Sequence, residues 1–127
     1  MKQILKSIKR KCVGSLIECC GYTILKKDKN IKVMPCKNVS IDPLGRFEIS
    51  PYDTIEAFEE GDIIACYHSH TTDNDNFSQE DLRNSKSLKI PFILYCEKTD
   101  TFKFFDCDEE KSKKISKEIE LKKCLKL

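Results

Sequence analysis

Asp62-Ile63-Ile64-Ala65-Cys66-Tyr67-His68-Ser69-His70 is an apolar run that ends on two histidines, and Ser78-Gln79-Glu80-Asp81 follows after a polar stretch. Residues 62–68 read as the best strand in the chain. The Thr/Asp/Asn-rich stretch 71–77 reads as loop, and Ser78-Gln79-Glu80-Asp81 opens a helix to about Leu88. These are the chain's only two histidines. Strand side chains alternate between faces, so His68 and His70 project the same way and aim two ring nitrogens at one point.

That placement has a chemical meaning. Neutral imidazole is the commonest protein metal ligand. Asp81, returned by the helix, completes a set of two His and one carboxylate and leaves a position open for water, as catalytic zinc requires. Upstream, Glu18 in Glu18-Cys19-Cys20-Gly21 offers a carboxylate to take that water's proton. The set predicts a metal-dependent hydrolase. Each part alone has a plainer reading. Ser78-x-x-Asp81 also fits a capping box, Glu18 an acid at a strand edge, and His-x-His a decorated strand face.

Composition narrows the field. The chain has 127 residues, enough for one domain with its own core, and a formal net charge of +2. Asp42 through Asp81 carries eleven acidic residues against Arg46 alone, while the remainder carries 22 basic and 10 acidic residues. A negative field around the histidines attracts cations and repels phosphate backbones, so no nucleic acid is expected at the site. No apolar run is long enough to cross a membrane, and residues 1–12 lack a signal-peptide pattern, which predicts a cytoplasmic protein. The eight cysteines include no Cys-x-x-Cys pair, and most lie in apolar segments, which predicts reduced, buried thiols. The missing Pro-Cys-x-x-Cys also excludes a nucleobase deaminase.

Periodicity sets the remaining elements. A helix is expected over about 2–14, from Ile4, Leu5, Ile8 and Cys12. Strands are expected over 16–25, with Glu18 at the start, over 31–39 and over 46–49. Ser50 is expected to cap a helix that begins at Pro51 and stops at Gly61. Strands over 91–97 and 101–105 are expected to form a hairpin, and the Lys-rich segment 109–127 is expected as a weak helix. Alternating strands and helices predict an α/β fold with a mixed sheet and helices packed on it.

Glu18-x-x-Gly21, then His68-Ser69-His70, seven residues, Ser78, two residues and Asp81, resembles the JAMM motif of the JAB/MPN+ metallopeptidases. The resemblance implies a single domain over 1–127 with that family's cytidine-deaminase-like mixed β-sheet flanked by helices. It implies that His68, His70 and Asp81 ligate one Zn2+ ion with a bound water. Glu18 is then the general acid/base, and Ser78 stabilises the tetrahedral intermediate. Pro35-Cys36-Lys37-Asn38, Asp42-Pro43, Phe47-Glu48-Ile49-Ser50 and Ile90-Pro91-Phe92-Ile93-Leu94 extend the likeness over about 15–105. They resemble the JAMM domain at the N-terminus of the phage tail assembly protein K family. Thr71 stands where that branch usually has Pro.

The implied activity is hydrolysis of a peptide or isopeptide bond, with phage tail proteins or peptidoglycan peptides as substrates and no membrane partner. The implied setting is the host cytoplasm or the virion tail. Two alternatives stay open: a metal-stabilised tail module without catalysis, and an enzyme that releases ubiquitin-like or sulfur-carrier proteins from conjugates.

Overall fold

The computed structural model describes residues 2–105, so the expected helix over 109–127, Cys107 and Cys124 lie outside the described residues. The elements are α1 (Lys2–Cys12), β1 (Cys20–Lys26), β2 (Ile31–Cys36), α2 (Pro51–Glu60), β3 (Gly61–His70), α3 (Gln79–Leu88), β4 (Phe92–Cys96) and β5 (Thr101–Phe105). The strands form one mixed sheet in the order β2-β1-β3-β4-β5. β3 and β4 are parallel and joined through α3, and every other pair is antiparallel. Parallel neighbours need a crossover, and the helix begun at Ser78 supplies it.

The sheet separates two apolar layers. On one face α1 buries Ile4, Ile8 and Cys12 against Leu25, Ile64, Tyr67, Ile93 and Tyr95. Full burial of a side chain such as Ile8 contributes roughly 1.5–3 kcal/mol. On the other face Ala57 of α2 joins Tyr22, Ile24, Met34, Cys66 and Phe92. Alternation along β3 breaks once. Thr23 pairs with Ala65 and Ile24 with Ile63, so Ile64 is an extra residue in the ladder. Such a bulge puts two residues opposite one and re-aims those that follow. Beyond it Tyr67 faces α1, while Cys66 and His68 face the opposite layer.

Three expectations need correction. The first strand starts at Cys20, not residue 16, because the Glu18 backbone bonds to Pro43 and the Asn38 side chain and the Cys19 N–H goes to the Ser69 side chain, which leaves one backbone bond to β3, from the Ser69 N–H to the Cys19 carbonyl. Residues 46–49 make only an isolated bridge, Asn38 to Ile49, because the Asn38 side chain takes the Arg46 carbonyl and the Glu48 N–H. Ser50 precedes α2 without a side-chain cap. Its carbonyl accepts Thr54 N–H and Oγ1–H, while Asp53 of the first turn accepts the Lys37 N–H. Pro51 does open the helix, and the hairpin of β4 and β5 turns through Asp100 at φ 50°.

Gly21 lies where β1 is flanked by β2 and β3. A Cβ there would collide with the Met34 carbonyl and the Tyr67 hydroxyl. Gly21→Ala is therefore expected to destabilise the fold by about 1–3 kcal/mol in urea denaturation, the usual cost of overpacking a close-packed site.

Candidate metal centre

His68 and His70 end β3 with their rings on one side, centroids 5.2 Å apart. Their Nε2 atoms lie 3.1 and 3.6 Å from the same atom, Asp81 Oδ2. Asp81 reaches them because α3 begins beside the end of β3. Ser78 caps α3 by accepting the Asp81 N–H at 3.0 Å, and the Ser78 N–H donates to Asp81 Oδ2 at 2.9 Å. The capping box and the site are thus one structure: closing the helix end also aims the carboxylate. Ser78 uses only acceptor capacity in the cap, so its hydroxyl proton remains free to donate. Ser78 itself is exposed.

Glu18 completes the cluster from the other side. One oxygen of its carboxylate and one nitrogen of each histidine lie within 4.8 Å of one another. The segment before β1 is held by backbone groups. The Glu18 N–H donates to the Pro43 carbonyl at 2.7 Å, and Asn38 Nδ2 donates to the Glu18 carbonyl at 2.9 Å. Ser69, between the histidines and facing away from them, accepts the Cys19 N–H on Oγ and donates its own N–H to the Cys19 carbonyl. Ser69 therefore fixes the histidine strand relative to the glutamate.

The cluster is buried. Glu18, His68, His70 and Asp81 are all buried, and Phe47 stacks on His68 at 4.4 Å and 20°. Burial pushes the Glu18 carboxyl up to about 7. His70 opposes that rise, while Asp81, Asp42 and Glu80 reinforce it. Burial would raise Asp81 too, but hydrogen bonds from His68 and His70 hold it well below the usual carboxylate range. His68 is pulled down by burial, against its bond to Asp81. Burial acts the same way on His70, yet Asp81, the Asn74 carbonyl and Glu18 outweigh it and the net direction is up.

The donor set fits a divalent ion of the zinc class, with two imidazole nitrogens and one carboxylate oxygen converging. His70 Nδ1 lies 2.7 Å from the Asn74 carbonyl, which would hold the proton of a metal-ligating ring on Nδ1 and free Nε2 for the ion. His68 Nδ1 is buried without a hydrogen-bond partner among the described residues.

All five residues marked out from the sequence come together here. Three contributors were missed: Asn38, which holds Glu18; Phe47, which stacks on His68; and the Asn74 carbonyl, which orients His70. Only the last had a local signal, because the loop 71–77 must return the chain from strand to helix.

A pH prediction follows from Glu18. Its folded value lies above its unfolded value, so its contribution is fully present below about 4.5 and is lost as pH rises toward about 7. In the metal-free protein, the stability of wild type relative to Glu18→Gln should fall over that window by an amount on the order of 2 kcal/mol. Urea denaturation of both proteins across the window checks the slope, and a flat difference contradicts it.

Comparisons place these residues among known proteins. A stretch of 77 residues, 61% of this chain, is 31% identical to the tail tip assembly protein K of Escherichia phage N15, and it spans only 31% of that protein's length. The desampylase of Pyrococcus furiosus is 26% identical over 99 residues, covering 74% of this chain and 70% of that enzyme. The solution structure of protein DSY2949 from Desulfitobacterium hafniense superposes with a TM-score of 0.68 at 18% identity. That match covers 87% of this chain and 84% of the other and shows a shared fold. Residues 3–108 match the model of the prokaryotic homologues of the JAB domain, and the mixed sheet flanked by helices is that family's fold: the chain belongs to the prokaryotic JAB family.

Proposed function

We propose that this protein is a zinc-dependent peptidase or isopeptidase in which His68, His70 and Asp81 hold the ion, Glu18 carries the proton and Ser78 stabilises developing charge. The observation that carries the reading is the convergence of two Nε2 atoms on Asp81 Oδ2 beside the buried Glu18 carboxylate. The ion, when bound, would polarise the scissile carbonyl and make a water acidic enough to attack near neutral pH.

The chain's own groups do the rest. Glu18, raised by burial, has a proton affinity suited to taking a proton from the attacking water and giving it to the leaving amine. The Ser78 hydroxyl proton is not spent in the cap, which suits this residue to donate to the carbonyl oxygen. Phe47 and the buried strand ends exclude bulk water, which strengthens each of these interactions.

Two substrate settings have support. The likeness to a tail tip assembly protein favours a tail component or a cell-wall peptide as substrate. The likeness to a desampylase, which spans more of both chains, favours release of a protein modifier from an isopeptide linkage. Both use the same site, so the substrate distinguishes them and the chemistry does not.

With zinc-loaded protein and a cleavable tail peptide, muropeptide or isopeptide conjugate, Glu18→Gln should lower kcat by about 10²–10⁴-fold. Ser78→Ala should cost about 10²–10³-fold, the value of one oxyanion donor. Zinc-loaded wild type that is inert toward all three substrate types would contradict the hydrolase reading.

A further inference from the structure

Seven residues apart in sequence, Cys12 and Cys19 bring their Sγ atoms to 2.8 Å. Cys12 ends α1 and is 1% exposed, whereas Cys19 follows Glu18 and is half-buried. Both ends are anchored independently. The Cys19 backbone is clasped by Ser69, and the exit of α1 is held by the Gly14 N–H on the Glu97 carboxylate and by Lys9 on Asp100. Closing from this contact to an S–S bond of about 2.05 Å takes less than an ångström of movement.

We infer that Cys12 and Cys19 form a reversible disulfide under hydrogen peroxide, tying α1 to the segment that carries Glu18. The more accessible Cys19 sulfur attacks one peroxide oxygen, the O–O bond breaks, and Cys19 sulfenic acid and one water result. The Cys12 sulfur then attacks the Cys19 sulfur, and the sulfenic oxygen leaves as a second water with the remaining thiol hydrogen. The two thiols lose two electrons and the peroxide gains them. A second adjacent pair among the described residues is less suited. Cys20 and Cys36 are opposite in the β1–β2 ladder, but their thiols turn to the Cys36 and Met34 carbonyls, whereas Cys19 Sγ, which also reaches the Lys11 carbonyl at 3.6 Å, meets Cys12 Sγ directly.

Once formed, the bond makes residues 12–19 a short ring and shifts Cys19, and with it Glu18. That consequence for catalysis rests on the role proposed for Glu18, but formation of the bond does not.

The test oxidises the purified full chain with excess hydrogen peroxide and maps its peptides without reduction. The expected first product is a Cys12–Cys19 cross-link, lighter by two hydrogens (about 2 Da), that dithiothreitol reverses. Cys12→Ser and Cys19→Ser should each fail to form it, and the half-buried Cys19 position serves if the buried Cys12 change prevents folding. Wild type should lose most of its hydrolytic rate on oxidation and regain it on reduction, while Cys19→Ser keeps its own starting rate under peroxide. A first link between Cys20 and Cys36, a link between chains, or over-oxidised Cys19 without a link would overturn the inference. A protein without hydrolytic activity that still forms the bond refutes the hydrolase reading and leaves this one standing.

Discussion

One carboxylate oxygen organises this molecule. Asp81 Oδ2 receives the Ser78 N–H and faces both imidazoles, so the start of α3 and the end of β3 are joined at a single buried atom. An ionised carboxylate this far from water is costly unless its oxygens are satisfied. Here the helix N-terminus and two ring nitrogens do so, which is why its proton affinity falls although burial acts in the other direction. A divalent ion at the same point would meet the same oxygen and the same two nitrogens.

The sheet serves that geometry. The bulge at Ile64 brings Cys66 and His68 onto the face opposite α1, and the parallel pairing with β4 buries both flanks of β3. Glu18 arrives from the antiparallel side, just before β1, held by Asn38, by Pro43 and through Cys19 by Ser69. Gly21, three residues on, lets β1 lie against Met34 and Tyr67 without a side chain in the way. The spacing Glu18-x-x-Gly21 therefore has two separate physical causes: a carboxylate placed at the histidine cluster and a close approach of backbone.

What could be read from residues alone follows from locality. His-x-His on an apolar run reveals a strand and a shared face, and Ser-x-x-Asp after a polar loop reveals a helix start. The cap reading of Ser78-x-x-Asp81 is borne out, and the same bonds set the Asp81 carboxylate beside the two histidines. Asn38 and Phe47 were not legible as site-builders because their contacts cross 20 or more residues and leave no periodic trace. The same holds for residues 46–49, which alternate like a strand but find an asparagine side chain where a partner strand was expected. The four apolar residues 63–66 could not show which faces the core, because the bulge that decides it belongs to the pairing with β1.

The most direct test of the site is a cobalt(II) titration of the metal-stripped full chain, read by the visible absorption of a tetrahedral nitrogen–oxygen site. Wild type should saturate at one equivalent, His68→Ala and Asp81→Ala should lose the signal, and Glu18→Gln should keep it. Glu18, His68 and His70 also lie close enough to hold an ion by themselves. If Asp81→Ala binds as tightly as wild type while Glu18→Gln abolishes binding, the third ligand is the glutamate and not Asp81, and Glu18 is not the free proton carrier that hydrolysis needs.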